Sequence, residues 1–320
     1  MHLFTILFCI VLFLGRGYAT NNVLPKQIFE FSNDTFIENI HARDDGLLLL
    51  STFSSGDLMI IDPTAATPMP RSVASLNSTG LTGMATIGAN IYAVSGGIHS
   101  TFIFANNSMN VYIVYVPSIN HPGVLLETIN VPNTQMLNGM AALPASPEIL
   151  LSVDSIGARI FRINTLTRKV DVAFSDPALG PGATVPLGAN GLKIYNSYLY
   201  FTNSGLGTFG RIKINLDGSK AGNVEIIATL NGTISTTNAY DDFTFDDKGN
   251  VYVAVHSYLI MKITPDGVQT PIAGTGGNNT YFKEPTSATL SCDKKSVYFS
   301  TGGTTLNGTV YGGQVVQVMI

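Results

Sequence analysis

The sequence predicts an all-β protein folded as a six-bladed β-propeller, and three observations support this prediction. One sequence pattern recurs six times: a polar or small residue, a short apolar run, a turn and an aromatic-rich run. The first residue of each repeat, here called its anchor, is at position 38, 83, 138, 190, 241 or 286. The steps between anchors, 45 to 55 residues, each hold four short strands, which is the content of one propeller blade. Asp-Gly and Lys-Gly pairs at 45–46, 217–218, 248–249 and 266–267 separate alternating apolar runs, as hairpins require.

The N-terminal residues form a targeting segment. Residues 3–14 are a continuous apolar run, and residues 17–19 follow with the small-x-small pattern of a cleavage site. We therefore predict a signal peptide over residues 1–19 and a single propeller domain over residues 20–320. Twelve apolar residues are too few to span a bilayer. Because no Lys or Arg precedes this run, an uncleaved interfacial anchor is the alternative.

A strand-like segment at residues 27–31 precedes the first repeat, whereas the last repeat holds only about three strands before the chain ends. We predict that this N-terminal strand completes the last blade and closes the ring. Such closure hides sheet edges that would otherwise pair with other chains.

Composition agrees with one compact, secreted, all-β domain. Hydrophobic residues make up 45% of the chain and charged residues only 12%, which is far from the composition of disordered proteins. The net charge is −4 and no basic cluster occurs, so we expect no nucleic-acid partner. We expect hydrophobic small-molecule substrates and no membrane span.

Six N-glycosylation sequons accompany the leader and predict a secreted glycoprotein of the secretory pathway. Their acceptors are Asn33, Asn77, Asn106, Asn231, Asn278 and Asn307. Cys9 belongs to the leader, so Cys292 has no partner for a disulfide, and we expect a buried, inert thiol.

The residues that open the innermost strands are candidates to converge at one mouth of the central channel. In chain order they are Glu38, Gly83, Asn138, Asn190, Asp241 and Thr286. Two carboxylates and two carboxamides form an all-oxygen donor set, which suits a hard cation such as calcium. The alternative is that each is an ordinary turn residue, since Asn and Asp are common in turns.

With the run at 246–254, this set resembles the SMP-30/gluconolactonase-like six-bladed propellers over nearly all of the mature chain. The resemblance implies that Glu38, Asn138, Asn190 and Asp241 hold a divalent cation, with lactone hydrolysis as the typical activity. It makes Glu38, Asn190 and Asp241 the candidate catalytic residues, and Asp241 the general base or the residue that orients water. Two positions depart from the lactonase pattern: Asp242 stands where Gly is usual, and Gly rather than Asp follows Asn138.

The phrase at residues 36–51, Phe-Ile-Glu-Asn-Ile-His-Ala-Arg-Asp-Asp-Gly-Leu-Leu-Leu-Leu-Ser, is similar to a fungal secreted branch of these propellers. Members of that branch occur in secondary-metabolite biosynthesis. Some are hetero-Diels–Alderases of tropolonic sesquiterpenoid pathways, which join a tropolone-derived ortho-quinone methide to a humulene-type sesquiterpene.

Three functions therefore remain open at the level of sequence. A cycloaddition catalyst needs an apolar pocket that holds two reactants in one geometry and requires no cofactor. The small, apolar loops at 96–102, 204–210 and 301–306 suit that pocket. A calcium-dependent lactone or ester hydrolase of the gluconolactonase type would use Glu38 and Asp241. The third reading is a non-catalytic extracellular binding propeller. His99 and His256 are interpreted as loop or strand-end histidines rather than site residues.

Overall fold

A computed structural model of the chain describes residues 25–32, 34–100, 102–274 and 282–320. These residues form 28 β-strands and one 3₁₀-helix (Pro177–Leu179), which confirms the all-β prediction. The strands of the first half are β1 (Lys26–Glu30), β2 (Ile37–Ala42), β3 (Leu48–Thr52), β4 (Asp57–Ile61), β5 (Arg71–Ser75), β6 (Gly80–Gly88), β7 (Ile91–Gly97), β8 (His99–Ser100), β9 (Ile103–Phe104), β10 (Asn110–Tyr115), β11 (Val124–Asn130), β12 (Leu137–Leu143), β13 (Ser146–Asp154), β14 (Arg159–Asn164) and β15 (Val170–Ser175). Those of the second half are β16 (Ala189–Tyr195), β17 (Tyr198–Asn203), β18 (Thr208–Ile214), β19 (Lys220–Thr229), β20 (Tyr240–Phe245), β21 (Val251–Val255), β22 (Leu259–Ile263), β23 (Gln269–Ala273), β24 (Pro285–Leu290), β25 (Ser296–Thr301), β26 (Thr304–Leu306), β27 (Thr309–Tyr311) and β28 (Gln314–Met319).

The strands assemble into six four-stranded antiparallel sheets, one for each sequence repeat. In chain order the blades are β2-β3-β4-β5, β6-β7-β10-β11, β12-β13-β14-β15, β16-β17-β18-β19, β20-β21-β22-β23 and β24-β25-β28-β1. Each innermost strand contacts the innermost strand of the next blade, and β24 of blade 6 contacts β2 of blade 1. The ring is therefore closed and sixfold, as predicted. Two small hairpins, β8-β9 and β26-β27, are added to blades 2 and 6.

The N-terminal strand closes the ring, which confirms that prediction. Strand β1 pairs antiparallel with β28, where Lys26 lies opposite Gln317 and Glu30 opposite Gln314. Lys283 Nζ donates to Glu30 Oε2 at 2.7 Å and reinforces the closure. The predicted hairpin turns are also confirmed, because the glycines at 46, 218, 249 and 267 all have positive φ.

Apolar clusters between neighbouring blades hold the ring together. One cluster joins Leu151 and Val153 of blade 3 to Leu199 and Phe201 of blade 4. Inner strands such as β3 and β21 are buried along their whole length, whereas outer strands such as β11 are mostly exposed. Each fully buried aliphatic or aromatic side chain contributes about 1.5–3 kcal/mol to the stability of the fold. Packing between blades therefore holds the inner strands in position.

Every innermost strand has an irregular register near its start, at the third residue of β6 and at the second residue of the other five strands. The pairing of β2 with β3 shifts between Ile37 and Asn39, and equivalent shifts occur in the other five blades. The residues at this bulged position are Glu38, Thr82, Asn138, Asn190, Asp241 and Thr286. The sequence anchor Gly83 was therefore one residue off, because the bulge places Thr82 at the equivalent position. The alternative that the anchors are turn residues fails too, since they lie within strands.

Several predictions concern surface features or undescribed residues. The leader (1–19) and the sequon residues Asn33 and Asn278 lie outside the described residues. The other four acceptors are exposed, and their glycosylation stays a prediction: Asn77, Asn106, Asn231 and Asn307. The expectation of a buried Cys292 was wrong: the residue is exposed, with Sγ 2.9 Å from the Arg43 carbonyl oxygen at the surface. Among the described residues, no helix is long and apolar enough to cross a membrane.

Candidate active site at one mouth of the channel

The four predicted site residues are brought together at the mouth where the innermost strands begin. Glu38, Asn138, Asn190 and Asp241 are between 2% and 8% exposed. Their strands approach closely, since a Cβ atom on Gly139 would lie closer than 3.0 Å to the Asn190 carbonyl oxygen. Buried polar side chains normally have hydrogen-bond partners, so four of them around one axis require an explanation.

Two of these side chains carry a buried polar atom that has no partner among the described residues. Asn190 Nδ2 donates to Ser204 Oγ at 3.1 Å, and Ser204 Oγ donates to the Tyr240 carbonyl oxygen at 2.7 Å. This relay fixes the amide and leaves Asn190 Oδ1 buried and unpaired. Asn138 Nδ2, on the preceding blade, is also buried and unpaired. An unmade buried hydrogen bond costs about 1–3 kcal/mol, so these atoms indicate a place prepared for a ligand.

The two threonines of the same ring have a structural role. Thr82 Oγ1 donates to the Leu137 carbonyl oxygen at 2.8 Å, and Thr286 Oγ1 donates to that of Ile37 at 2.7 Å. Both bonds join an innermost strand to that of the next blade. The ring thus divides into two residues that tie blades together and four that are candidates to bind a ligand.

His256 is a hydrogen-bonded strand-end histidine, as interpreted from the sequence, and it also contacts the predicted site residue Asp241. It directly follows β21, where Val255 pairs with Tyr240, so it lies beside Asp241. Its Nε2 atom is 2.8 Å from Asp241 Oδ2 and its Nδ1 atom 3.2 Å from the Thr236 carbonyl oxygen. Burial acts to lower the pKa of His256, but the hydrogen bond and charge of Asp241, with the charge of Glu284, raise it to about 9. Both ring nitrogens then donate, and the ring is an imidazolium.

Among the described residues, the mouth holds more carboxyl groups than basic partners for them. Burial, and then the charge of Asp241, raise the pKa of Glu38 well above its usual value. Burial raises the pKa of Asp241 although His256 opposes the shift, and burial also raises the pKa of Glu284. Asp241 is matched by His256, whereas Glu38 and Glu284 have no basic partner in an ion pair among the described residues. The site can therefore accept a cation or hold a proton on Glu38.

Asp242, one of the two departures from the lactonase pattern, is the centre of a hydrogen-bonded group below the mouth. We call this group, which Asp242 forms with Lys193, Asn39 and Ser287, the partition. Lys193 Nζ donates to the two carboxylate oxygens of Asp242 at 2.7 and 2.8 Å. Asn39 Nδ2 and Ser287 Oγ donate to Oδ2 at 3.1 Å each. A Cβ atom on Gly191 would overlap Asp242 Oδ1, so glycine at 191 makes room for this carboxylate. No sequence pattern indicates Lys193 as the partner, because it is 49 residues from Asp242 and on another blade.

The rim of the same face is apolar. Its exposed large side chains are Ile98, Phe102, Ile103, Leu206, Tyr258 and Val310. Phe102 stacks on Phe53 at 5.3 Å between ring centroids, and Phe53 stacks on His99 at 4.3 Å. Phe36 adds an edge contact to Phe102 at 6.2 Å. The loops predicted to form an apolar pocket therefore do follow strands that end on this face.

Comparisons with known proteins agree with this fold. No protein-family model matches the chain. A Phoma sp. protein, provisionally named a hetero-Diels-Alderase, is 23% identical over 321 residues, with 88% of each chain covered. A solved luciferin-regenerating enzyme is 16% identical with a TM-score of 0.67, over 93% of this chain and 95% of that one. Regucalcin from Agrobacterium tumefaciens, a calcium-binding protein, is 11% identical with a TM-score of 0.63, over 92% and 93%.

At these identities the solved structures show the fold, and the Phoma protein adds a relationship in sequence over most of the chain. The closed sixfold ring agrees with the fold of the solved structures. The resemblance to the SMP-30/gluconolactonase-like six-bladed propellers, and within them to proteins named as hetero-Diels–Alderases, is thereby supported.

Proposed function

We propose that this protein is a hetero-Diels–Alderase of secondary-metabolite biosynthesis, which couples a tropolone-type ortho-quinone methide to a humulene-type sesquiterpene. The observation that carries the proposal is an apolar rim around a mouth with a buried, unpaired amide donor, Asn138 Nδ2. The name of the Phoma protein supports the reaction class.

The reaction needs little from the protein besides position and one donor. The four-atom C=C–C=O unit of the quinone methide adds to one C=C bond of the sesquiterpene, so one C–C and one C–O bond form and no atom leaves. Holding both reactants in one geometry removes most of the entropic barrier. A hydrogen bond from Asn138 Nδ2 to the quinone-methide oxygen stabilises the negative charge that develops there. The exposed rings of Phe102 and Tyr258 provide flat apolar surface for the planar reactant.

A kinetic comparison of wild type with Asn138→Ala tests this proposal. The quinone methide is generated in solution with humulene present, and product is quantified by chiral chromatography. We expect wild type to give product faster than buffer and with one enantiomer in excess. Asn138→Ala should slow formation roughly five- to tenfold, since one hydrogen bond contributes about 1 kcal/mol or slightly more. Asn120→Ala, an exposed site elsewhere, is the matched control. Racemic product at the buffer rate would contradict the proposal.

A calcium-dependent lactone or ester hydrolase is the second candidate, and the unbalanced carboxylates of the mouth favour it. Glu38, Asn138, Asn190 and Asp241 offer the oxygen donors that calcium prefers, and the unpaired Oδ1 of Asn190 fits a cation. Within the described residues no three His, Cys, Asp or Glu side chains are grouped to hold a metal, so the carboxamides are needed as ligands. When bound, the cation supplies Lewis-acid polarisation of a carbonyl group.

Calcium titration and paired variants separate the candidates. If the protein is a hydrolase, titration calorimetry detects calcium, lactone opening depends on it, and both Glu38→Gln and Asp241→Asn abolish the opening. A cycloaddition catalyst keeps most of its rate in Glu38→Gln and without calcium. A binding propeller, the third candidate, turns over neither a lactone nor the quinone methide.

A further inference from the structure

A cavity of about 300 Å³ lies on the propeller axis beyond the Asp242 partition, on the side away from Glu38. All six innermost strands contribute to its wall. One lining residue from each blade, in chain order, is Ile40, Met84, Met140, Ile194, Thr244 and Ala288. None of these residues belongs to the mouth described above.

The channel is narrow at the bulges and wide beyond them because of the residue types at each level. At the bulge level Gly83, Gly139 and Gly191 let neighbouring strands approach so closely that a Cβ atom would overlap the next blade. Further along the same strands, Ala141 and Ala142 line the cavity, and their small side chains leave the axis open. The Lys193–Asp242 pair closes the end nearer the mouth.

The wall of this cavity is electrically neutral. Lys193 is matched by Asp242, and no carboxylate lines the cavity. Burial, and then the charge of Lys193, lower the pKa of His41 to about 4, so its imidazole is neutral at neutral pH. His41 Nε2 is 2.7 Å from Thr86 Oγ1, which occupies one ring nitrogen. An ion of either sign would therefore find no counter-charge here.

Free hydrogen-bond capacity in the cavity includes donors. An ammonium group has three N–H donors, and Lys193 gives two of them to Asp242. Thr244 lines the cavity and its hydroxyl group can donate as well. The methionine and alanine side chains supply the remaining surface, which is apolar. A ligand that fits these walls is apolar over most of its surface and carries an oxygen acceptor.

The geometry points to a second ligand site in this cavity, which binds a compact, neutral, apolar molecule through a carbonyl or ether oxygen. At about 30 Å³ per water-sized unit, the volume accommodates about ten non-hydrogen atoms. The inference does not depend on the proposed cycloaddition, because it uses only residues beyond the partition. A ligand there contacts Lys193 and, through Asp242, the floor of the mouth.

Methionine-methyl NMR with camphor, a compact ketone, as the probe tests this site directly. With ¹³C-methyl methionine in the full-length protein, camphor should shift the methyl resonances of Met84 and Met140 in a saturable way. Met59 and Met261, which pack between blades away from the cavity, should not shift. Absence of a saturable shift up to the solubility of camphor would overturn the inference.

Two variants locate the binding. Ala142→Leu fills the cavity and should weaken camphor binding at least tenfold, whereas Ala66→Leu, at an exposed position, should leave it unchanged. Unchanged affinity in Ala142→Leu, with the Met59 and Met261 resonances preserved, would place the probe elsewhere and overturn the site. If the leucine unfolds the protein, Thr244→Val decides: a roughly fivefold loss of affinity supports the site, and an unchanged dissociation constant overturns it. Glu38→Gln should bind camphor like wild type.

Discussion

At the scale of single residues, the Asp242 carboxylate inside the channel has a counter-charge, whereas the carboxyl groups at the mouth outnumber their basic partners. Asp242 is 2% exposed and receives hydrogen bonds from Lys193, Asn39 and Ser287. One residue earlier, Asp241 shares its environment with Glu38, and His256 is its only counter-charge within the described part of the chain. The Lys193–Asp242 pair is therefore a structural element, and the group of Glu38, Asp241 and His256 is the one that can accept a ligand.

Lys193→Met should be strongly destabilising, because it leaves the Asp242 carboxylate buried without a counter-charge. We expect the free energy of unfolding in urea at pH 7 to fall by about 3–5 kcal/mol. Lys294→Met removes an exposed pair with Asp247 and should change it by less than about 1 kcal/mol. The double variant Lys193→Met/Asp242→Asn should recover part of the loss. Equal effects of the two single variants would show that the partition is not a buried ion pair.

His41 should make stability depend on pH between about 4 and 6.5. Its pKa is about 4 when folded and 6.5 for an ordinary histidine, so the unfolded state binds more protons in this window. The stability that neutral His41 provides is therefore complete above pH 6.5 and is lost as pH falls toward 4. Because the ring is partly accessible from the cavity, we expect about 2 kcal/mol rather than the full shift.

His41→Phe provides the comparison for this pH effect. The raised pKa values of Glu38 and Asp241 act in the opposite direction but are present in both proteins, so the difference between the two profiles isolates His41. Denaturation at several pH values from 4 to 8 should give a shallower profile for the variant. Parallel profiles would contradict the assignment of a neutral, buried imidazole.

At the scale of elements, the bulge at the start of each innermost strand positions the site. The extra residue turns the side chain at this position toward the axis and brings the next backbone against the neighbouring blade. Gly139 is one such close approach, because a Cβ atom added there would overlap the Asn190 carbonyl oxygen and Leu192 N. The glycines that follow Asn138 and Asn190 are thus required by the close approach of the next blade.

Gly139→Ala tests whether this approach is needed. Its methyl group would overlap the backbone of blade 4, which cannot move alone, so we expect a loss of more than about 2 kcal/mol in unfolding free energy. Gly88→Ala, on strand β6, is the matched control. Its nearest contact would be Ile91 Cδ1 at 3.6 Å, and we expect a change within about 0.5 kcal/mol. Similar melting temperatures for the two variants would mean that the blades separate easily at the bulge.

At the scale of the whole molecule, the sequence predicts the features that follow from its repeats, and it does not predict contacts that depend on how the blades meet. The period near fifty residues, the glycine turns and the unpaired first strand each follow from local pattern, and all three are confirmed. The offset between Gly83 and Thr82 was missed because a bulge changes the register by one residue without changing the pattern. The contacts of His256 and Lys193 were missed because they depend on which strands become neighbours after the ring closes.

Removal of strand β1 should open the ring, which makes the N-terminal strand a determinant of the molecule's association state. A chain that begins at residue 34 lacks the partner of β28 and the Glu30–Lys283 ion pair. The unpaired edge of β28 then offers backbone groups to another chain. We expect a lower melting temperature and oligomers by light scattering, relative to a chain that begins at residue 20. A peptide of residues 25–33 added in excess should restore a monomer, because it binds only the folded edge. If the shortened chain stayed monomeric at the same melting temperature, packing between blades would be enough to keep the ring closed. The prediction that β1 is needed for closure would then be wrong.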